Sequence, residues 1–162
     1  MIAGLSIDNF THLHVAISLV GIVSGLIVLA GMLHARRLPG WTALFLVTTI
    51  LTSVTGFMFP ISGLTPGIVF GLISIVILVI ALNALYVKHL AGAWRWIYVT
   101  TALIALYLNV FVLIVQSFQK VPALQKLAPT QSEPLFSVTQ GVVLVPFLIL
   151  GIMAARRFRP TP

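Results

Sequence analysis

The chain contains no cysteine. Disulfides, thiol catalysis, cysteine-held iron–sulfur clusters and covalently attached haem are thereby excluded. Charge is almost as scarce: Asp, Glu, Lys and Arg make up 7% of the 162 residues, where a soluble domain carries about 25%. Only two residues are acidic, Asp8 and Glu133, so carboxylate-pair catalysis has a single conceivable pair. There is no HExxH, nucleophile elbow or Walker loop. No Asp, Glu, Lys or Arg lies inside a long apolar run, which argues against pumps and ion-coupled carriers, whose pathways need intramembrane ionisable groups. No enzyme signature and no cofactor is read from these residues.

What is present is apolar. Hydrophobic residues make up 60% of the chain, and the mean hydropathy is +1.17. A single integral membrane domain, residues 1–162, follows, with the lipid bilayer as its first partner. The net charge of +7 does not indicate nucleic acid. The cations stand singly or in pairs at the ends of apolar runs, where membrane topology puts them, and not as a stripe on a soluble face.

A spanning helix needs roughly 20 apolar residues. The spacing predicts an all-α bundle of five transmembrane helices, at about 9–35, 41–59, 66–87, 96–119 and 135–155. Residues 38–87 are uncharged throughout and too long for one helix. The turn-type cluster from Pro60 to Gly67 divides them, with Thr65 as an expected cap and Pro66 as an opening residue. Pro146 is expected to kink the last span. The first span lacks a basic leading region and reads as a permanent helix, not a cleavable signal. With the N-terminus outside and the C-terminus cytoplasmic, the inner side holds Arg36, Arg37, Lys88, Arg95, Arg156, Arg157 and Arg159, and the outer side only Lys120 and Lys126. Seven against two is a positive-inside bias. Trp41, Trp94 and Trp96 fall at the inner interface. The outer loop 119–134 carries three prolines and a short surface helix at about 122–128; it reads as a connector or as a lid.

At about 100° per residue each helix has a readable face. Ser18, Gly21 and Gly25 align on the first, and Gly67, Gly71 and Ser74 on the third. Small residues at this spacing let helices approach closely. The fifth helix offers Ser137, Gln140, Gly141 and Gly151. Depth adds a second signal. His14, Thr52, Thr55, Asn109, Gln116 and Gln140 all fall in the outer half of their spans. If these faces point to one interior, the outer half encloses a polar pocket floored by Asn109 and Thr52 and open to the outside.

The histidines allow weaker assignments. His12 and His14 are about 200° apart on a helix, so they cannot chelate one metal together. Asp8, His12 and Glu133 are the candidates for an outer metal site. His34 lies roughly 33 Å along the helix from His12, so only His89 could join it as the second axial ligand of an inner b-type haem.

Four stretches carry a resemblance: LPGWTALFLVTTILTSVTGFMFP (38–60), HLAGAWRWIYV (89–99), LNVFVLIVQSFQKVPAL (108–124) and APTQSEP (128–134). Together they resemble an uncharacterised family of short multi-pass inner-membrane proteins of proteobacteria. The resemblance implies an inner-membrane location and no established activity, so it assigns no functional residue. Three functions stay open: a non-catalytic membrane component, self-associating or an accessory subunit of a larger complex; a binder or carrier of a small neutral or amphiphilic ligand in the outer-half pocket; and a b-type haem protein.

Overall fold

The structure is a computed structural model that describes residues 1–60, 63 and 66–159. Helix α1 spans Ile7–Leu33, α2 Pro39–Phe57 and α3 Pro66–Leu82, which runs on into a π-helical turn at Asn83–Val87. Then come α4 at Trp94–Lys120, the short α5 at Pro122–Leu127 and α6 at Pro134–Arg157. Five helices are long and apolar enough to cross a membrane, α3 doing so only together with its π-helical turn. The expected Thr65 cap lies outside the described residues.

Local chemistry explains the boundaries. Ser6 caps α1 by accepting from the Asn9 amide at 3.2 Å, and Asp8 sits in the first turn, where the helix dipole favours an anion. Prolines open α2, α5 and α6, where a missing N–H costs nothing. Pro122 stops α4, leaving Val121 extended. Helix α6 continues through Pro146 as one element.

Helices α1, α2, α3 and α4 form a closed ring, each touching the next and α4 returning to α1. Helix α6 packs outside this ring against α4 and α1 and buries only Ala154. The ends of α1, of the π-helical turn after α3 and of α6, with the starts of α2 and α4, hold seven Lys and Arg residues; we term this the basic end and the opposite one the α5 end. Arg95 ties the basic end together by donating to the Ala155 and Phe158 carbonyls, which would otherwise be unpaired at the close of α6.

The two halves of the ring are filled differently. The continuous apolar core, including Met32, Phe45, Leu46, Leu78, Tyr98 and Leu106, occupies the basic half. Its helices interlock through small residues: a Cβ on Gly25 would fall 2.6 Å from Leu106 Cδ1 and 2.9 Å from the Phe45 ring. Large apolar side chains such as Val23, Val47, Val76 and Val142 are exposed on the outside, as lipid-facing residues would be. Among the described residues the α5 half has no comparable core, and the candidate site lies there.

Candidate functional site

A cavity of about 370 Å³ opens among α1, α2, α3 and α4 in the α5 half. Its base lies at mid-helix. There Asn109 Nδ2 of α4 donates to Thr49 Oγ1 of α2 at 3.3 Å. Gly21 of α1 makes room for the pair: a Cβ at this position would lie 3.2 Å from Thr48 Oγ1, 3.5 Å from Thr49 Oγ1 and 3.6 Å from Asn109 Nδ2. The two glycines of the α1 stripe therefore do different work. Gly25 closes the apolar core, and Gly21 accommodates a polar layer.

One wall is set by His14. Its Nδ1 lies 2.7 Å from Thr55 Oγ1, and the Thr55 hydroxyl also lies 2.6 Å from the Leu51 carbonyl. A carbonyl can only accept, so Thr55 donates to Leu51 and accepts from His14 Nδ1–H. Neutral His14 then keeps Nε2 as a free acceptor. Its ring is held edge-on against Phe59, with centroids 5.4 Å apart. Thr52 and Ser53 of α2 and Ser18 of α1 return their hydroxyl protons to carbonyls four residues earlier, at 2.8, 3.2 and 2.7 Å. Their oxygens can still accept. Ser74, buried in the α3 wall, and Gln116, on α4, make no side-chain hydrogen bond among the described residues. Phe57, Phe70 and Val112 supply apolar lining, and Lys120 stands at the α5 end. The cavity therefore holds donors and acceptors with no fixed charge at its base.

The sequence-derived residues divide. His14, Thr52, Asn109 and Gln116 line the cavity, as do Ser18, Gly67, Gly71 and Ser74 from the small-residue faces. Thr55 does not line it but orients His14. The expected base shifts: Thr49, not Thr52, partners Asn109. Gln140 stands apart on α6, where Nε2 donates to the Phe111 carbonyl at 3.4 Å and Oε1 is buried without a partner. The other α6 positions also separate: Gly151 receives Leu103, while Gly141 meets open space. Of the 119–134 segment, only Lys120 lines the cavity, so α5 does not cover it as a lid. Because a buried unpaired acceptor costs about 1–3 kcal/mol, Gln140→Leu is expected to leave thermal stability in detergent unchanged or raised, whereas Asn109→Leu lowers it.

Other candidate residues are not gathered. Asp8, His12 and Glu133 do not come together, and no group of three His, Cys, Asp or Glu suited to a metal occurs among the described residues. Glu133 is engaged locally. Desolvation opposes its charge, but hydrogen bonds from the Thr130 hydroxyl and from nearby backbone amides outweigh this and hold the carboxyl below its usual range. His34 Nδ1 turns back to the Ala30 carbonyl at 2.8 Å, while His89 lines a second cavity without His34.

Sequence reasoning missed Ser53, Phe57 and Phe59 as lining residues. Ser53 had a signal, since it continues the Thr49 stripe of α2. The two phenylalanines had none: they follow the last polar turn of α2 and look like ordinary lipid-facing residues. Comparison with protein-family models, with curated proteins and with solved structures finds no match to this chain.

Proposed function

We propose that this chain is a non-catalytic bacterial inner-membrane protein that binds or carries a small neutral or amphiphilic ligand in the α5-end cavity. The basic end faces the cytoplasm and the α5 end the outside, because seven of the nine Lys and Arg residues gather at the former. The observation that carries the reading is the convergence of His14, Asn109, Thr52 and Gln116 on one cavity. At about 370 Å³ it reaches the low end of the roughly 300–1,000 Å³ typical of ligand sites. Interhelical hydrogen bonds in membranes average only about 0.6 kcal/mol, so packing alone is a weak reason to assemble these groups. The Asn109 amide and the His14 Nε2 acceptor suit a hydroxyl, amide or ketone on an apolar body. The base carries no carboxylate or ammonium, and the one cation in the lining, Lys120, stands at the α5 end of α4.

The test is mass spectrometry of small molecules extracted from protein purified out of its native membrane. A neutral or amphiphilic species should co-purify in near-stoichiometric amount and be lost when the cavity is filled. If the wild-type and cavity-filled proteins carry the same molecules, the reading fails.

A second reading, an accessory or self-associating component, draws on α6. Gly141 faces open space beside exposed Val138 and Val142, a place where another helix could approach.

A further inference from the structure

A second cavity, of about 220 Å³, lies at the basic end. Its floor is apolar, formed by Val28, Met32, Leu85 and Leu90. Tyr98, buried, and Thr42 both line it. Its rim is cationic and aromatic: Arg36, Arg37, His89 and Tyr86, all exposed. We propose that this cavity binds the phosphate-bearing headgroup of an anionic phospholipid.

Charge gives the first reason. Both acidic side chains sit at the α5 end, Asp8 at the start of α1 and Glu133 at the start of α6. Among the described residues Arg36 and Arg37 therefore have no acidic side chain as counter-ion, and their guanidinium groups make no hydrogen bond or ion pair there. Neighbouring cations differ: Arg95 is spent on the α6 carbonyls, and Lys88 lies over the Trp94 ring at 5.5 Å. Arginine forks match phosphate oxygens in a bidentate way.

Backbone shape gives the second. The loops that hold the rim contain three non-glycine residues in the left-handed region, Ala35, His89 and Leu90, with φ of +55°, +48° and +60°. Such residues cost of order 1–3 kcal/mol each. Ala35 directly precedes the arginine pair, and His89 and Leu90 are themselves part of the cavity. The π-helical turn at Asn83–Val87 places Leu85 and Tyr86 there too. Irregular backbone at two separate loops thus converges on one small cavity.

Level and size give the third. Trp41 and Trp96, both exposed at the basic end, mark the interfacial belt at which headgroups lie. At 220 Å³ the cavity falls below the roughly 300 Å³ of a whole-ligand site and suits a headgroup whose acyl chains stay in the bilayer. Half-exposed Tyr86, on the π-helical turn, stands where the headgroup would enter. The inference requires that the chain lie in a bilayer, as in the reading above, but it is independent of what the other cavity binds.

The test is native mass spectrometry and thermal unfolding of the full chain in detergent with dioleoyl phosphatidylglycerol, dioleoyl phosphatidylcholine or inorganic phosphate added. Retention of phosphatidylglycerol should exceed that of phosphatidylcholine on the order of tenfold, with a matching rise in unfolding temperature. The preference should vanish in the Arg36→Gln/Arg37→Gln double variant and persist in Arg156→Gln/Arg157→Gln. Equal retention of the two lipids by the wild-type protein overturns the proposal without recourse to any variant. So does an equal loss of preference in both double variants, which would mean diffuse attraction to the basic end. Stabilisation by inorganic phosphate that matches phosphatidylglycerol assigns the cavity to a soluble anion and overturns the lipid source. Loss of the ligand from the α5-end cavity would leave all of these results unchanged, so the two readings fail separately.

Discussion

Gly25→Leu is expected to destabilise the bundle by at least about 1–3 kcal/mol, the usual cost of overpacking a filled core. A first added carbon already meets Leu106 Cδ1 at 2.6 Å and the Phe45 ring at 2.9 Å. Both neighbours are 1% exposed and sit in the continuous apolar core, so neither has space to retreat into. The thermal midpoint in detergent should fall by several degrees, at a few degrees per kcal/mol. Gly141→Leu is the matched control, since nothing lies within 4 Å of that position and its backbone is ordinary helix. Gly4 would be a poorer control despite its open surroundings, because its φ of +81° strains any side chain. A wild-type midpoint for Gly25→Leu would mean that α1 does not meet α2 and α4 there.

The second large effect is on binding and not on stability. Ser74 is buried at 5% exposure in the wall of the α5-end cavity, and its hydroxyl holds no partner among the described residues. Ser74→Phe can direct its ring into a void of about 370 Å³ instead of into packed atoms. The unfolding temperature should stay near wild type while the co-purifying ligand is lost. Retention of the ligand in a folded Ser74→Phe protein would place it elsewhere. Together the two substitutions separate the halves of the ring: one side is filled by apolar packing, and the other leaves space among polar groups.

Much of this was legible before any coordinates. Charge-free runs broken by prolines and paired arginines locate five helices to within a few residues, because a bilayer leaves no other arrangement for such stretches. The depth of His14, Thr52, Asn109 and Gln116 pointed to the half that encloses the cavity. What stayed hidden depends on how helices rotate and which neighbours they meet. Gly21 and Gly25 look equivalent in sequence, yet one faces polar atoms of Thr48, Thr49 and Asn109 and the other faces Leu106 and Phe45. Gln140 shares the depth of the cavity residues, but α6 packs outside the ring, so its amide meets the back of α4 instead. The π-helical turn, which shifts the register at the end of α3, has no periodicity signal in five residues. The second cavity needs two loops to meet across the bundle, and nothing local in either loop shows that.

The most direct test of a polar cavity open to the outside exploits the missing cysteines. A single introduced cysteine reports alone in this chain. Ser18→Cys and Gln116→Cys, both in the cavity lining, would be exposed in right-side-out membrane vesicles to a charged, membrane-impermeant methanethiosulfonate, beside Val142→Cys on the outer face of α6 and Arg37→Cys at the basic end. Labelling of the two cavity positions, with Arg37→Cys silent until the membrane is opened and Val142→Cys silent until detergent removes the lipid, is the result expected. Silent cavity positions alongside a labelled Arg37→Cys would contradict both the open cavity and the orientation.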